Sequence, residues 1–243
     1  MSSLLPVLGR HVLMQGDSGR VNFHPQANLV LTCPPFFHPV FHPTPAASPH
    51  GDSPQIHDLD EFAGWAAEIL KRASGALDSR GLLCFVKTDV RYKRTLLPVG
   101  FRIAEEVTKR GFPLRAHWIW QRLQSFSPYA PSIGNIFVFG NRPSIPLLSN
   151  GLFLDSLVAL RRGRPTSFTP GLFEALLQKL SEVGDIVVDP FAGQGSLIIA
   201  AARCGRWSAC VEISPEQIRK AESVLAEVPK LEVRRAMSGV RRA

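Results

Sequence analysis

The stretch DIVVDPFAGQGSLIIAAARCG, residues 185–205, contains a change of structure in a few residues. DIVVD at 185–189 reads as a short buried strand, Gly193 and Gly195 interrupt it, and SLIIAAARCG continues as a helix. A strand, a glycine turn and a helix in that order place the turn at the C-terminal end of a strand, where open α/β sheets bind their ligands. Glycine lets the backbone come close to such a ligand. Roughly 20 residues on, Glu212 ends the next strand, a position from which a carboxylate takes both hydroxyls of a ribose. By spacing alone, two glycines and one acid describe either a nucleotide-type site or a plain tight turn.

Outward from this stretch the alternation continues. Downstream come the strand WSACVEI at 207–213, the helix PEQIRKAESVLAEV and a short strand, LEVRRA, before the basic tail SGVRRA. Upstream, PGLFEALLQKLSEVG from Pro170 reads as a helix, and residues 141–169 are turn-rich and basic. HWIWQR at 117–122 and NIFVFG at 135–140 read as strands able to pair as an antiparallel edge hairpin. GLLCFVK at 81–87 is a buried strand, and Leu96 to Arg110 reads as a helix closed by Gly111. Asp58 is placed to cap a helix with apolar residues at Leu59, Phe62, Ala66, Ile69 and Leu70, ending at Gly75. The predicted fold class is α/β: a Rossmann-like, doubly wound, mostly parallel sheet in one domain over residues 1–243.

Asn28 to Thr32 (NLVLT) is a further buried strand, and it stops abruptly at CPPF, residues 33–36. Residues 37–57 are crowded with proline and histidine and form a long loop. His38 and His42 have a ligand-like spacing, but the prolines beside them keep them off one helical face, so no metal site is expected. Trp118 and Trp120 read as sheet packing.

Composition narrows the class. At 243 residues, 45% hydrophobic and 20% charged, the chain is long enough for a well-buried core. Its net charge of +8 suits a polyanionic partner, nucleic acid first. Cys33, Cys84, Cys204 and Cys210 are scattered with no paired spacing, which fits a reducing cytoplasm and indicates neither a disulfide framework nor a structural zinc site. No apolar run approaches the ~20 residues of a membrane span.

DPFAGQGS, Asp189 to Ser196, closely resembles the DPFxGxGT signature of amino-directed DNA methyltransferases. LTCPPF, Leu31 to Phe36, resembles their second signature, written S-P-P-Y or S-P-P-F in enzymes acting on cytosine N4 and D/N-P-P-Y in most that act on adenine. Here the proline signature precedes the glycine signature, as in the circularly permuted beta class of that family. Gly16-Asp17-Ser18 is similar to the "GDs" that opens such enzymes, and RPTSFTPGLFEALLQKLSEVGD is similar to their helix entry over the cofactor's methionine end. The resemblance spans Val12 to Ala226.

It implies S-adenosylmethionine as cofactor and double-stranded DNA as substrate, with the target base flipped out of the duplex. It implies that Cys33 and the Pro34 carbonyl accept the amino hydrogens of that base, that Pro34 and Pro35 hold the corner rigid, and that Phe36 stacks on the base. Asp189, Pro190, Phe191, Ala192, Gly193, Gly195, Ser196 and Thr169 would hold the methionine part, Glu212 the ribose, with Asp17 near the adenine. Arg161, Arg162 and Arg164 lie where the family inserts its target-recognition region and would contact phosphate. That region, residues 141–168, is short, and a short recognition site, dimerisation or a partner protein would compensate. Cys33 departs from the family pattern, because a thiol is a weak acceptor. With no acid at 33 and Phe in place of Tyr at 36, the expected target is N4 of cytosine. Adenine N6, or a weakened homologue that only binds cofactor or DNA, are the alternatives. Covalent attack by Cys33, as in C5 methylation, is disfavoured because that family places cysteine after proline and no neighbouring base is evident.

Overall fold

The computed structural model describes residues 3–4, 11–23, 26–39, 56–121, 133–140, 151–154, 170–229 and 231–237. In chain order the elements are β1 (Ser3–Leu4), β2 (His11–Gln15), β3 (Asn22–Phe23), β4 (Ala27–Thr32), α1 (Leu59–Ser74), β5 (Leu77–Lys87), β6 (Val90–Tyr92), β7 (Thr95–Leu97) and α2 (Val99–Lys109). They continue with β8 (Leu114–Gln121), β9 (Ile133–Gly140), β10 (Gly151–Leu154), α3 (Pro170–Leu180), β11 (Ile186–Asp189), α4 (Ser196–Arg203), β12 (Trp207–Glu212), α5 (Pro215–Ala226) and β13 (Val233–Met237).

Among the described residues, nine strands form one sheet in the order β10-β8-β9-β5-β4-β11-β12-β2-β13. Only β9 runs against its neighbours in this sheet, pairing antiparallel with both β5 and β8, while the other contacts are parallel. The expected hairpin of β8 and β9 is thus present towards one end of the sheet, with β10 paired parallel outside it.

Side chains alternate across the sheet and build two cores. On one face Val30, Phe85, Phe137, Val188 and Val211 pack with Phe62 and Leu70 of α1 and Ile103 of α2. On the other, Leu29, Leu31, Val187 and Cys210 pack with α3, α4 and α5 through Leu176, Ile198 and Ile218. Parallel strands covered on both faces need nearly continuous apolar runs, which is why NLVLT, LLCFV and DIVVD show little alternation.

Local chemistry sets the helix ends. The Asp58 carboxylate accepts from the N–H groups of Asp60 and Glu61 at 2.9 Å each, and Ser214 caps α5 by accepting from Gln217 N. The helix expected from Leu96 begins instead at Val99. Thr95–Leu97 pairs with Val90–Tyr92 as a small antiparallel hairpin, and Pro98 between hairpin and helix disfavours helical geometry in the residue before it. β5 begins at Leu77, four residues before the expected start at 81. Trp118 and Trp120 are buried in the sheet core, as expected. No helix among the described residues is long and apolar enough to cross a membrane. Thr169, Arg161, Arg162 and Arg164, most of 141–168 and residues 40–55 of the proline-rich loop lie outside the described residues, as does His42.

Candidate active site

β4 and β11 are parallel neighbours, with Leu29 opposite Val187 and Val30 opposite Val188, so both chains leave the sheet at the same edge. Their last residues are bonded to each other: Thr32 Oγ1 donates to Asp189 Oδ1 at 2.5 Å. The corner Cys33–Phe36 follows Thr32 and the glycine turn follows Asp189, so the two stretches singled out by the sequence stand side by side. A row of rings also links them. Phe37 packs on Phe62 at 5.2 Å between centroids, Phe62 on Trp65 at 5.6 Å, and Trp65 on Phe191 of the turn at 5.7 Å.

The turn is held mainly by backbone bonds. Ala192 N donates to Val211 O and Gly195 N to Ala192 O, both at 2.9 Å, and Phe191 N donates to Asp189 Oδ1 at 2.9 Å. Gly193 and Gly195 have φ of +51° and +80°, a region that a side chain would strain. A Cβ on Gly193 would meet nothing within 4 Å, so open space lies in front of the turn; a Cβ on Gly195 would stand 3.3 Å from Leu225 Cδ1. Gly195 is also the N-cap of α4, so Ser196 begins that helix and its unpaired N–H groups face the turn.

Glu212 closes the other side. One carboxylate oxygen accepts from Gly193 N and the other from Ser214 N, each at 2.8 Å. The loop after β2 is tied to the same place, because Gly16 N donates to Glu212 O at 2.9 Å and Ser18 Oγ to Pro190 O at 2.6 Å. Asp17, between these two residues, accepts from Gly19 N at 2.8 Å and lies 3.4 Å from the exposed Arg20 guanidinium. Asp189 is buried, and burial pushes its carboxyl up to about 7 against the opposing pull of the Thr32 and Phe191 hydrogen bonds. Those bonds serve the turn and the neighbouring strand.

At the proline corner, Cys33 Sγ donates weakly to Pro34 O at 3.7 Å. Burial pushes the thiol up to about 12, partly offset by Lys87, so Cys33 is a neutral thiol at physiological pH. This agrees with the reading that disfavours it as a covalent nucleophile. Sequence reading missed Lys87. This residue is 1% exposed, and its Nζ donates to Pro34 O at 3.1 Å and more closely to Pro35 O. It lies 5.1 Å from the centre of the Phe36 ring and 5.8 Å from that of Phe62. The available signal was a lysine closing the otherwise apolar run GLLCFVK. Thr32, which joins the two strand ends, was also passed over.

A family model described as DNA methylase (N6_N4_Mtase) matches residues 149–223. No curated protein matches the chain in sequence. Among solved structures, TTHA0409 from Thermus thermophilus, described as a putative DNA modification methylase, is similar with a TM-score of 0.71 and 25% identity over 94% of this chain and 100% of that one. The same protein complexed with S-adenosyl-L-methionine aligns with a TM-score of 0.69 and 24% identity over 95% and 100%. The PvuII DNA methyltransferase (cytosine-N4-specific) aligns with a TM-score of 0.65 and 19% identity over 88% and 89%, a likeness of fold. The covered α/β sheet, with the glycine turn and the proline corner at adjoining strand ends, is a methyltransferase fold.

Proposed function

We propose that this protein is a DNA methyltransferase that moves a methyl group from S-adenosylmethionine to the exocyclic N4 amino group of cytosine in double-stranded DNA. One observation carries the reading: the Thr32–Asp189 hydrogen bond holds the proline corner and the glycine turn at one sheet edge, so a methyl donor on the turn faces an acceptor at the corner. The family match over residues 149–223 and the similarity to TTHA0409, which binds S-adenosyl-L-methionine, support it. The proline signature comes before the glycine signature in the chain, in keeping with a circularly permuted member of the class.

The residues of the turn fit the cofactor. The space before Gly193 admits a ligand against bare backbone, the α4 N-terminus would face the cofactor's carboxylate, and Glu212 stands beside the turn at the end of β12, the strand-end position of a ribose-binding acid. Gly193, Gly195 and Ser196 would hold the methionine part, assisted by Thr169, with Asp17 at the adenine end. When bound, the cofactor supplies an electrophilic methyl on a sulfonium.

The chain's own task is to make a poor nucleophile attack. The amino lone pair of cytosine is delocalised into the ring, and hydrogen bonds from both amino hydrogens redirect it. Cys33 Sγ and Pro34 O are the acceptors at the corner. Cys33 Sγ and Pro34 O lie 3.7 Å apart, so the two acceptors stand side by side at the corner. Phe36 stacks on the flipped base and fixes its plane, and the proline φ angles keep the acceptors from drifting. Arg161, Arg162 and Arg164 are assigned to phosphate contacts.

Mass spectrometry of nucleosides from DNA incubated with the protein and methyl-labelled S-adenosylmethionine tests the assignment. Label in 4-methylcytosine is the expected outcome. Label in 6-methyladenine would move the target to adenine, and cofactor binding without any label would leave a binding protein.

A further inference from the structure

Lys87 ends β5 in the interior, 1% exposed, and among the described residues it makes no ion pair. Its partners are two carbonyls, Pro34 O at 3.1 Å and Pro35 O, and two ring faces, Phe36 and Phe62. A buried ammonium is costly without a counter-charge, whereas a neutral amine has two N–H groups and needs two acceptors, the number present here. The remaining neighbours leave it little room: a Cβ on Gly100 of α2 would stand 3.3 Å from Lys87 Cβ.

We propose that Lys87 is the positioning residue of the proline corner, that it aims the Pro34 carbonyl at the target amine through the bonds to Pro34 O and Pro35 O, and that it acts best as an uncharged amine. The inference rests on the DNA methylation reading. Lys87 touches neither base nor cofactor in this role; it acts through the corner that does. Both N–H bonds survive loss of the third proton, so the anchor persists when the charge is gone. The charge itself opposes the reaction. Methyl transfer carries positive charge from the sulfonium to the amine, towards the corner and therefore towards Lys87, and an ammonium behind the acceptor carbonyl raises the energy of that shift. A charge-assisted bond from Lys87 also draws electron density from Pro34 O, the oxygen that must accept from the base.

Burial lowers the Lys87 amine to about 8, with the Asp89 carboxylate pulling it back up; Cys33, a neutral thiol in this range, adds no charge. The groups that face it are Cys33 on the corner and Asp89 just beyond its own strand; Phe62 of α1 and Gly100 of α2 bring no charge. Behind these, Asp189 acts on Cys33 and His117 acts on Asp89. A lysine lowered in this way sheds its charge as pH rises through about 8, so turnover should rise over the same range.

The test measures single-turnover methyl incorporation into genomic DNA from labelled S-adenosylmethionine between pH 6.5 and 9.5, for the native protein, Lys87→Arg and Lys87→Met, with cofactor Kd and thermal melting for each. The native rate should rise about tenfold between pH 7 and 9, following the neutral fraction of a group near 8. Lys87→Arg, charged throughout, should show no such rise and fall about tenfold below the native rate at pH 9. Lys87→Met should lose the pH step and about tenfold in rate at pH 9 with an unchanged cofactor Kd. A native rise retained in Lys87→Arg, or a Lys87→Met rate equal to native at pH 9, overturns the proposal. If Lys87→Met does not fold, the arginine variant decides. If the native protein binds cofactor and labels no DNA, the methylation reading fails; a crystal structure of Lys87→Met then judges the anchor, with a displaced Cys33–Phe36 supporting it and an unmoved corner overturning it.

Discussion

At the end of β11 the chain turns on two glycines held by backbone hydrogen bonds and by Glu212, all within about one strand-turn-strand unit; at the end of β4 it turns on two prolines held by Lys87, which arrives from β5. The glycine turn is local, and its shape follows from φ angles that only glycine adopts readily. The proline corner is rigid in itself, and it is also tied to a distant side chain, Lys87. Under the proposed function the difference matters for chemistry, because a turn that only binds a cofactor can be shaped by backbone, whereas an acceptor that must meet a particular amino hydrogen needs to be aimed.

Substitutions on either side sharpen this contrast, and the largest effect is expected at the turn. Glu212→Ala removes the acceptors for Gly193 N and Ser214 N together with the proposed ribose ligand, and should weaken cofactor binding about 100-fold by calorimetry, as charged hydrogen bonds of this kind are each worth about 1.5–3 kcal/mol. An unchanged Kd would remove the turn from the cofactor site.

Asp189 supplies a pH test of the same strand end. Its folded-state pKa, pushed up to about 7 from 3.8, means that the folded protein holds a proton the unfolded chain has lost between those values. Stability from this group is therefore full below about 4 and lost as pH rises towards 7, by about 2 kcal/mol between pH 5 and 7. In Asp189→Asn the amide oxygen can still accept from Thr32 and Phe191, so denaturant titrations should show the variant gaining on the native protein as pH rises over that window. A constant difference would show that Asp189 is already ionised.

At the proline corner, Phe36→Ala should lower the methylation rate about tenfold while leaving the cofactor Kd alone, since stacking on a base is worth about 1–3 kcal/mol. Equal losses in both would mean that the corner and the turn are not separate in function. Gly195→Ala should cost about 1 kcal/mol in unfolding measurements through φ strain and the contact with Leu225. Cys33→Ser should change the rate least, keeping or raising it by about threefold or less, because a hydroxyl is a better acceptor than a thiol. Complete loss of activity there would overturn the acceptor role.

Much of this molecule was readable in one dimension. The glycine turn, the proline corner, Glu212, the capped helix from Asp58 and the alternation of strands and helices all rest on short-range constraints such as turn φ angles, cap hydrogen bonds and apolar runs. The helix start at Leu96 was misplaced because Thr95–Leu97 finds a partner in Val90–Tyr92, a pairing decided by contacts that propensity does not contain. Lys87 was invisible for a related reason. A lysine at a strand end normally reaches solvent, and only the packing of α1, α2 and the corner around β5 keeps this one inside.

What the amino-acid order determined by itself was the identity and shape of the two turns, since glycine and proline act on their own backbone. What only the tertiary structure decided was that β4 and β11 are neighbours, that Thr32 reaches Asp189, and that Lys87 reaches Pro34 and Pro35. Those contacts join residues more than 50 positions apart. They exist because burying both faces of the sheet fixes which strands lie side by side, and no local preference carries that information.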